Sequence, residues 1–95
     1  MPAYAIFIRE ETTNADELKS YFEKVGSTMQ GHALTPLAVS SDVEVLEGGP
    51  VENIVILQFP TLAEARAWYD SPAYQEVLGH RLAGGKYRGL LVEGR

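Results

Sequence analysis

The stretch at residues 54–75, IVILQFPTLAEARAWYDSPAYQ, constrains the fold more than any other part of the chain. It begins with an apolar, β-branched run that is typical of a buried strand, and Pro60 ends that run. Thr61 is typical of a helix N-terminus, and Ser71 followed by Pro72 is typical of a second one. The stretch therefore predicts one strand followed directly by two helices, the second of which ends near Ala83.

The rest of the chain predicts three more strands and one more helix. Asn14 stands three residues before Glu17, the spacing of a capping box at a helix N-terminus. Apolar residues then recur at spacings of three and four, and Gly31 is the expected end of this helix. The predicted strands lie at residues 4–9, at residues 34–47 in two pieces (37–39 and 43–46), at residues 53–59 and at residues 89–93.

The resulting order, β-α-β-β-α-β, is that of the ferredoxin-like fold, an α+β arrangement. It predicts a four-stranded antiparallel sheet with all the helices on one face. Residues 1–95 contain no linker, repeat or low-complexity tract, so we expect one domain.

The predicted strands are apolar on both sides, which helices on one face cannot explain. In the first strand Ile6 and Ile8 point one way, whereas Ala5 and Phe7 point the other. A sheet with one solvated face would alternate apolar and polar residues. Because a second copy of the chain is the simplest cover for the uncovered face, we expect a homodimer with its sheets packed face to face.

Charge and composition exclude several classes of protein. The formal net charge is −5, and no cluster of lysine and arginine offsets it, so nucleic acid is not an expected partner. No apolar run approaches the ~20 residues that a membrane helix needs. The chain has no cysteine, and Met1-Pro2-Ala3-Tyr4 leads straight into a strand without the features of a signal peptide. We therefore expect a cytoplasmic protein.

Several of these segments together resemble a known family. The run VILQFPTLAEARAWYDSPAYQ, followed by Arg81 and then by LLVEG, resembles the DUF1330 family, a domain of unknown function, and VEVLEGG at residues 43–49 fits the same pattern. The resemblance implies the dimeric α/β-barrel superfamily, which includes small monooxygenases, muconolactone isomerases and haem-degrading enzymes. It implies no particular reaction, because the family has no general assigned activity.

The chain also departs from the family pattern at three places. Family members usually carry a glycine pair after the first helix, an arginine in the second strand and a second glycine pair after that strand. Here these positions read Ala33-Leu34, Val39 and Ser40-Ser41. A ligand role that depends on that arginine or on those glycines does not transfer to this chain.

Arg81 is the first candidate for a ligand-binding residue. It shares one helical face with Tyr74, Leu78 and Leu82, so its side chain starts among apolar neighbours. An arginine held in this way binds a carboxylate through two parallel hydrogen bonds. The alternative is a structural arginine near a helix C-terminus, where it satisfies terminal carbonyl groups.

Aromatic residues flank the turn between the two consecutive helices. Trp68, Tyr69 and Tyr74 can form the wall of a pocket and offer phenol hydroxyls to a ligand. The alternative is that they belong to the hydrophobic core, with each polar tip bonded to a partner.

His32 and His80 are the two histidines and hence the natural candidates for a catalytic general base near neutral pH. The alternative is that both are ordinary surface residues. They do not stand at a metal-ligand spacing, and without cysteine we expect neither a metal site nor a cofactor.

Three functions stay open on these grounds. The first is a homodimer that binds a small carboxylate-bearing ligand between sheet and helices, near Arg81 and Tyr69. The second is a cofactor-independent monooxygenase-like or isomerase-like enzyme that uses a histidine or tyrosine as acid or base. The third is a purely structural or partner-binding module.

Overall fold

The chain folds into a four-stranded antiparallel sheet with three α-helices, and the computed structural model describes all of residues 1–95. The predicted order β-α-β-β-α-β is confirmed, with two consecutive helices in its second crossover. None of the three helices combines the length and the apolar composition that crossing a membrane requires. In chain order the elements are β1 (Ala3–Thr12), α1 (Ala15–Lys24), a 3₁₀ turn (Val25–Met29), β2 (Thr35–Ser40), β3 (Asn53–Phe59), α2 (Leu62–Asp70), α3 (Pro72–Gly84) and β4 (Gly85–Glu93).

The strands lie in the order β2-β3-β1-β4, so β1 is central and β2 and β4 form the two edges. In β1, Ile6 lies opposite Ile56 of β3 on one side and opposite Leu90 of β4 on the other. This is the ferredoxin-like topology that the element order predicts. Since residues opposite each other in antiparallel strands share a face, the register also sets which side chains meet the helices.

The three predicted helix caps are all present. The side chains of Asn14, Thr61 and Ser71 each accept hydrogen bonds from backbone N–H groups in the first turn of their helices. At Ser71 the Oγ atom lies 3.2 Å from the backbone nitrogen of Tyr74, and Pro72 occupies the start of the helix. Ser71 therefore ends α2 and begins α3, which fixes the relative positions of the aromatic residues on either side of it.

The first helix is shorter than predicted, because α1 ends at Lys24 and not at Gly31. The 3₁₀ turn that follows is stabilised by its own side chains. Ser27 Oγ donates to the carbonyl of Lys24 at 2.9 Å, and Thr28 Oγ1 donates to the carbonyl of Val25 at 2.6 Å. Such side-chain hydrogen bonds compete with the regular backbone bonds of an α-helix. The spacing of apolar residues does not reveal them, so it predicts too long a helix.

The second predicted strand is also shorter, and the prediction of a strand at residues 43–46 is wrong. β2 ends at Ser40, whose Oγ accepts a hydrogen bond from the backbone nitrogen of Asp42 at 3.0 Å. β3 begins only at Asn53, opposite the end of β2, so residues 43–46 have no strand to pair with. Their alternating apolar pattern therefore does not produce a strand in this chain.

The last strand is longer than predicted, since β4 begins at Gly85 and not at Gly89. Its extra residues pair with an extension of β1, and Gly85 lies opposite Thr12. The register shifts between Arg9 and Glu11, which marks a bulge in this ladder. The helix ends at Gly84, close to the predicted end near Ala83, and residues 85–88 extend the strand that follows it.

The side of the sheet that faces the helices holds the hydrophobic core. Ala5 and Phe7 of β1 are 0% and 4% exposed, and Leu57 of the neighbouring strand is 1% exposed. They pack against Trp68 of α2 and Tyr74 of α3, both fully buried. Sheet and helices thus form two layers around one cluster of buried side chains.

The opposite side of the sheet, called the open face below, is apolar but not covered by the rest of the chain. The prediction of apolar residues on both sides of the strands is therefore confirmed. Two of these side chains, Leu90 and Val92, are 41% and 46% exposed. The half-buried isoleucines of the open face are Ile6, Ile8, Ile54 and Ile56.

Candidate functional site

The side chain of Arg81 is buried between the sheet and the helices. The residue lies near the end of α3 and is 4% exposed. Its guanidinium carbon lies 4.8 Å from the centre of the Phe7 ring and 4.9 Å from the centre of the Tyr87 ring. The two aromatic rings therefore hold a positive charge inside the protein.

No carboxylate of the chain pairs with this charge. The arginine–carboxylate ion pairs join Arg9 to Glu52 and Arg66 to Asp70, and Glu17 lies against His80. The Nε atom of Arg81 is buried and has no hydrogen-bond partner. Contact with aromatic faces is worth about 2 kcal/mol, less than the several kcal/mol that burying a charge costs.

Two tyrosine hydroxyls lie close to the guanidinium. The hydroxyls of Tyr21 and Tyr74 are 2.9 Å apart, and both residues are buried. Burial is the largest cause that raises the pKa of each phenol, and the charge of Arg81 opposes it in part. Both phenols are therefore neutral hydrogen-bonding groups near neutral pH.

A cavity of about 340 Å³, called the Tyr69 cavity below, lies between α2 and the end of the sheet formed by β1 and β4. Arg81 is not part of its lining, but it is close to one wall. A Cβ atom added to Gly89 would stand 3.9 Å from Nη2 of Arg81 and 3.3 Å from the Phe7 ring. The lining residues are Phe7, Arg66, Tyr69, Gly89, Leu90 and Leu91.

The structure places the predicted aromatic residues in two different environments. Tyr69 is half-buried and lines the cavity, as the pocket hypothesis requires. Trp68 and Tyr74 are fully buried core residues whose ring centres lie 4.3 Å apart. The polar tip of Trp68 donates from Nε1 to Thr28 Oγ1 at 3.2 Å, so it offers no donor to a ligand.

The two histidines lie away from the Tyr69 cavity. Nδ1 of His80 lies 2.6 Å from a carboxylate oxygen of Glu17, and Nε2 lies 3.5 Å from Nζ of Lys24. His32 lies in the loop after the 3₁₀ turn, where its backbone nitrogen donates to the carbonyl of Met29. A catalytic role for either histidine stays a prediction. No three histidine and carboxylate side chains form a group that could hold a metal ion.

Three residues of this site escaped the sequence-based prediction. Phe7 and Tyr87 stack on the guanidinium from two different strands, and only the three-dimensional fold brings them to Arg81. Gly89 could have been found, because a glycine inside a strand often marks a close approach of another group. Here the approaching groups are the Phe7 ring and the guanidinium of Arg81.

One family model matches almost the whole chain. It is described as Domain of unknown function (DUF1330), and it covers residues 2–95. No protein of curated function matches the sequence.

Several solved structures share the fold. A protein of unknown function from Rhodopseudomonas palustris is 16% identical, with a TM-score of 0.73 over 99% of this chain and 82% of that one. A dimeric ferredoxin-like protein of unknown function from Jannaschia sp. CCS1 is 13% identical, with a TM-score of 0.73 over 99% and 100% of the two chains. SnoaB, a cofactor-independent oxygenase from Streptomyces nogalater, is 10% identical, with a TM-score of 0.67 over 99% and 93%. At these identities the likeness concerns the fold alone.

Proposed function

Because the chain belongs to the DUF1330 family, which has no assigned activity, we propose a function from its own side chains. The protein is a homodimer, and each subunit binds a small carboxylate-bearing ligand between its sheet and its helices. The ligand lies in the Tyr69 cavity with its carboxylate directed at Arg81.

The observation that carries this proposal is the buried charge of Arg81 without a counter-ion. A guanidinium in the interior is stabilised best by a planar anion that accepts two parallel hydrogen bonds. The aromatic rings of Phe7 and Tyr87 both contact the group. A carboxylate would therefore meet a cation that the two rings already hold close to the cavity.

The path from the Tyr69 cavity to the guanidinium runs past Gly89. The absence of a side chain there leaves Nη2 of Arg81 within van der Waals reach of that wall. A modest shift of the arginine or of the Phe7 ring would bring its N–H groups into the cavity. Tyr69 and Leu91 then form the walls around the body of the ligand.

Homodimer formation is supported by the open face. An apolar face of several hundred Å² is larger than monomers usually expose, and burying two of them contributes about 10 kcal/mol or more before association costs. Leu90 and Val92 are the most exposed apolar side chains of that face in β4. Proteins of the same fold are described as dimeric, including the one from Jannaschia.

An enzyme is the alternative function, and the likeness of fold to the oxygenase SnoaB supports it. Acid–base chemistry requires a titrating group within hydrogen-bond reach of the substrate. The lining of the Tyr69 cavity contains neither histidine nor carboxylate, so Tyr69 is the one candidate acid or base there. We place ligand binding first because the buried charge of Arg81 has no counter-ion.

A thermal-unfolding screen tests the proposed ligand. Acetate, benzoate, phenylacetate and succinate are each titrated against the wild type, against Arg81→Met and against Arg95→Met. Arg95 is exposed, so its substitution controls for the loss of one positive charge. We expect at least one acid to raise the Tm of the wild type and of Arg95→Met in a saturable manner, and not that of Arg81→Met. A shift that Arg81→Met leaves intact, or no shift with any acid, would overturn the proposal.

A further inference from the structure

A second cavity, called the Val39 cavity below, lies between the sheet and α1 with its 3₁₀ turn. Its volume is about 190 Å³, and nine of its ten lining residues are hydrophobic. Phe7 is part of the wall of both cavities, so the two lie on either side of this ring. Among the lining residues are Tyr21, Val25, Met29, Val39, Val55 and Trp68.

The polar atoms of the aromatic walls are already bonded elsewhere. The Tyr21 hydroxyl pairs with that of Tyr74 at 2.9 Å, and Nε1 of Trp68 donates to Thr28 at 3.2 Å. Each ring therefore presents only its apolar surface to the cavity. A charged or strongly polar molecule would lose its hydration here without gaining hydrogen bonds.

We propose that the Val39 cavity is a second binding site, which takes a neutral single-ring aromatic molecule or a ligand group of that kind. The size supports this choice, because an apolar protein cavity of about 150 Å³ stays dry and binds benzene. A cavity of about 190 Å³ accepts one ring with a small substituent. The site does not depend on Arg81, so it goes beyond the proposed carboxylate site.

The entrance of this cavity lies at the edge of the sheet. Phe22 of α1 is 41% exposed and Val39 of β2 is 60% exposed, and both line the cavity. Val39 lies opposite Val55, on the same side of the sheet as the helices. A dimer formed through the open face would cover the other side of the sheet, so it would leave this entrance accessible.

Titrations followed by methyl NMR test the site. Benzene and indole are the neutral probes, benzoate is the charged one, and the methyl groups of Val25, Met29 and Val55 report on the cavity. Val39→Trp places a large ring at the entrance. Leu82→Trp is the matched control, since Leu82 is 62% exposed on α3 and lines no cavity.

We expect benzene or indole to shift these methyl signals in a saturable manner in the wild type and in Leu82→Trp. Val39→Trp should weaken the binding at least tenfold while its circular dichroism spectrum stays that of the wild type. Benzoate should bind in the Val39 cavity at least tenfold more weakly than benzene, as measured by the same methyl signals. The proposal fails if no neutral probe saturates these signals, if Val39→Trp binds as the wild type does, or if the shifts map to the open face.

Discussion

The missing side chain of Gly89 leaves the guanidinium of Arg81 and the ring of Phe7 next to the same backbone position. A Cβ atom at Gly89 would lie 3.9 Å from Nη2 of Arg81 and 3.3 Å from two carbons of the ring. This relationship links a cavity on one side of the wall to a buried charge on the other. A larger side chain at residue 89 should therefore separate the cavity from the guanidinium.

Gly89→Val should therefore weaken binding of a carboxylate by roughly tenfold while leaving Arg81 in place. Gly79→Val is the matched control, because nothing lies within 4 Å of a Cβ atom at Gly79. Isothermal titration calorimetry with the best acid from the screen gives both dissociation constants. Equal affinities for the two variants would show that the ligand does not reach Arg81 past Gly89.

Arg81→Met should leave the free energy of unfolding without ligand within about 1 kcal/mol of the wild-type value. The substitution removes the contacts with the two rings, but it also removes a buried charge that has no counter-ion. Urea unfolding of the two proteins measures the difference. A loss of more than about 3 kcal/mol would mean that a group of the protein itself compensates the charge.

The Tyr21 and Tyr74 pair should make the protein lose stability in alkaline solution. Burial raises the pKa of both phenols, whereas tyrosines of the unfolded chain ionise near pH 10. Above that pH the unfolded state releases protons that the folded state retains, so the free energy of unfolding falls as the pH rises.

Urea unfolding at pH 9, 10 and 11 measures this dependence. The double variant Tyr21→Phe/Tyr74→Phe should show a shallower decline than the wild type, because both titrating groups are removed together. Because the two hydroxyls bond to each other, removing both leaves no buried hydroxyl without a partner. We therefore expect only a small change in the free energy of unfolding at neutral pH. An equally steep decline in the variant would assign the alkaline effect to other groups.

The bond between Trp68 and Thr28 should contribute measurably to stability. Thr28→Val would leave Nε1 of the fully buried Trp68 without a partner, which costs about 1–3 kcal/mol. Thr28→Ser keeps the hydroxyl and should recover most of that loss. Chemical denaturation of the three proteins compares them, and an unchanged midpoint for Thr28→Val would show that the bond is not formed.

The open face should hold two subunits together. Sedimentation at micromolar concentration should give a mass of about twice 10.4 kDa for the wild type. Ile6→Lys places a charge in the centre of that face and should produce monomers. Leu82→Lys, at an exposed position on α3, should remain dimeric. A monomeric wild type would contradict the proposed homodimer.

The parts of the fold that could be predicted are those with local signals. β3 matches its predicted bounds, and Asn14, Thr61 and Ser71 cap the helices that they were expected to cap. The strand predicted at residues 43–46 failed, because a strand also needs a partner and β3 begins too late to supply one. The local sequence pattern shows only the propensity of a segment to form a strand. Whether the segment pairs with another strand depends on the rest of the sheet.

In the candidate site, too, local features could be predicted and long-range contacts could not. The helical spacing of Arg81 predicts that its side chain starts among apolar neighbours. Tyr74 of that face is buried as expected, whereas Leu82 is 62% exposed. The contact of its guanidinium with both Phe7 and Tyr87 could not be predicted, because it depends on the pairing of β1, at the start of the chain, with β4 at its end. The absence of a carboxylate partner is likewise visible only in three dimensions.

A crystal structure of the protein with the acid that stabilises it best tests the central claim most directly. The proposed function predicts the ligand in the Tyr69 cavity, with a carboxylate oxygen within about 3 Å of a guanidinium nitrogen of Arg81. A ligand held elsewhere on the protein, with the guanidinium still unpaired between its two rings, would contradict it.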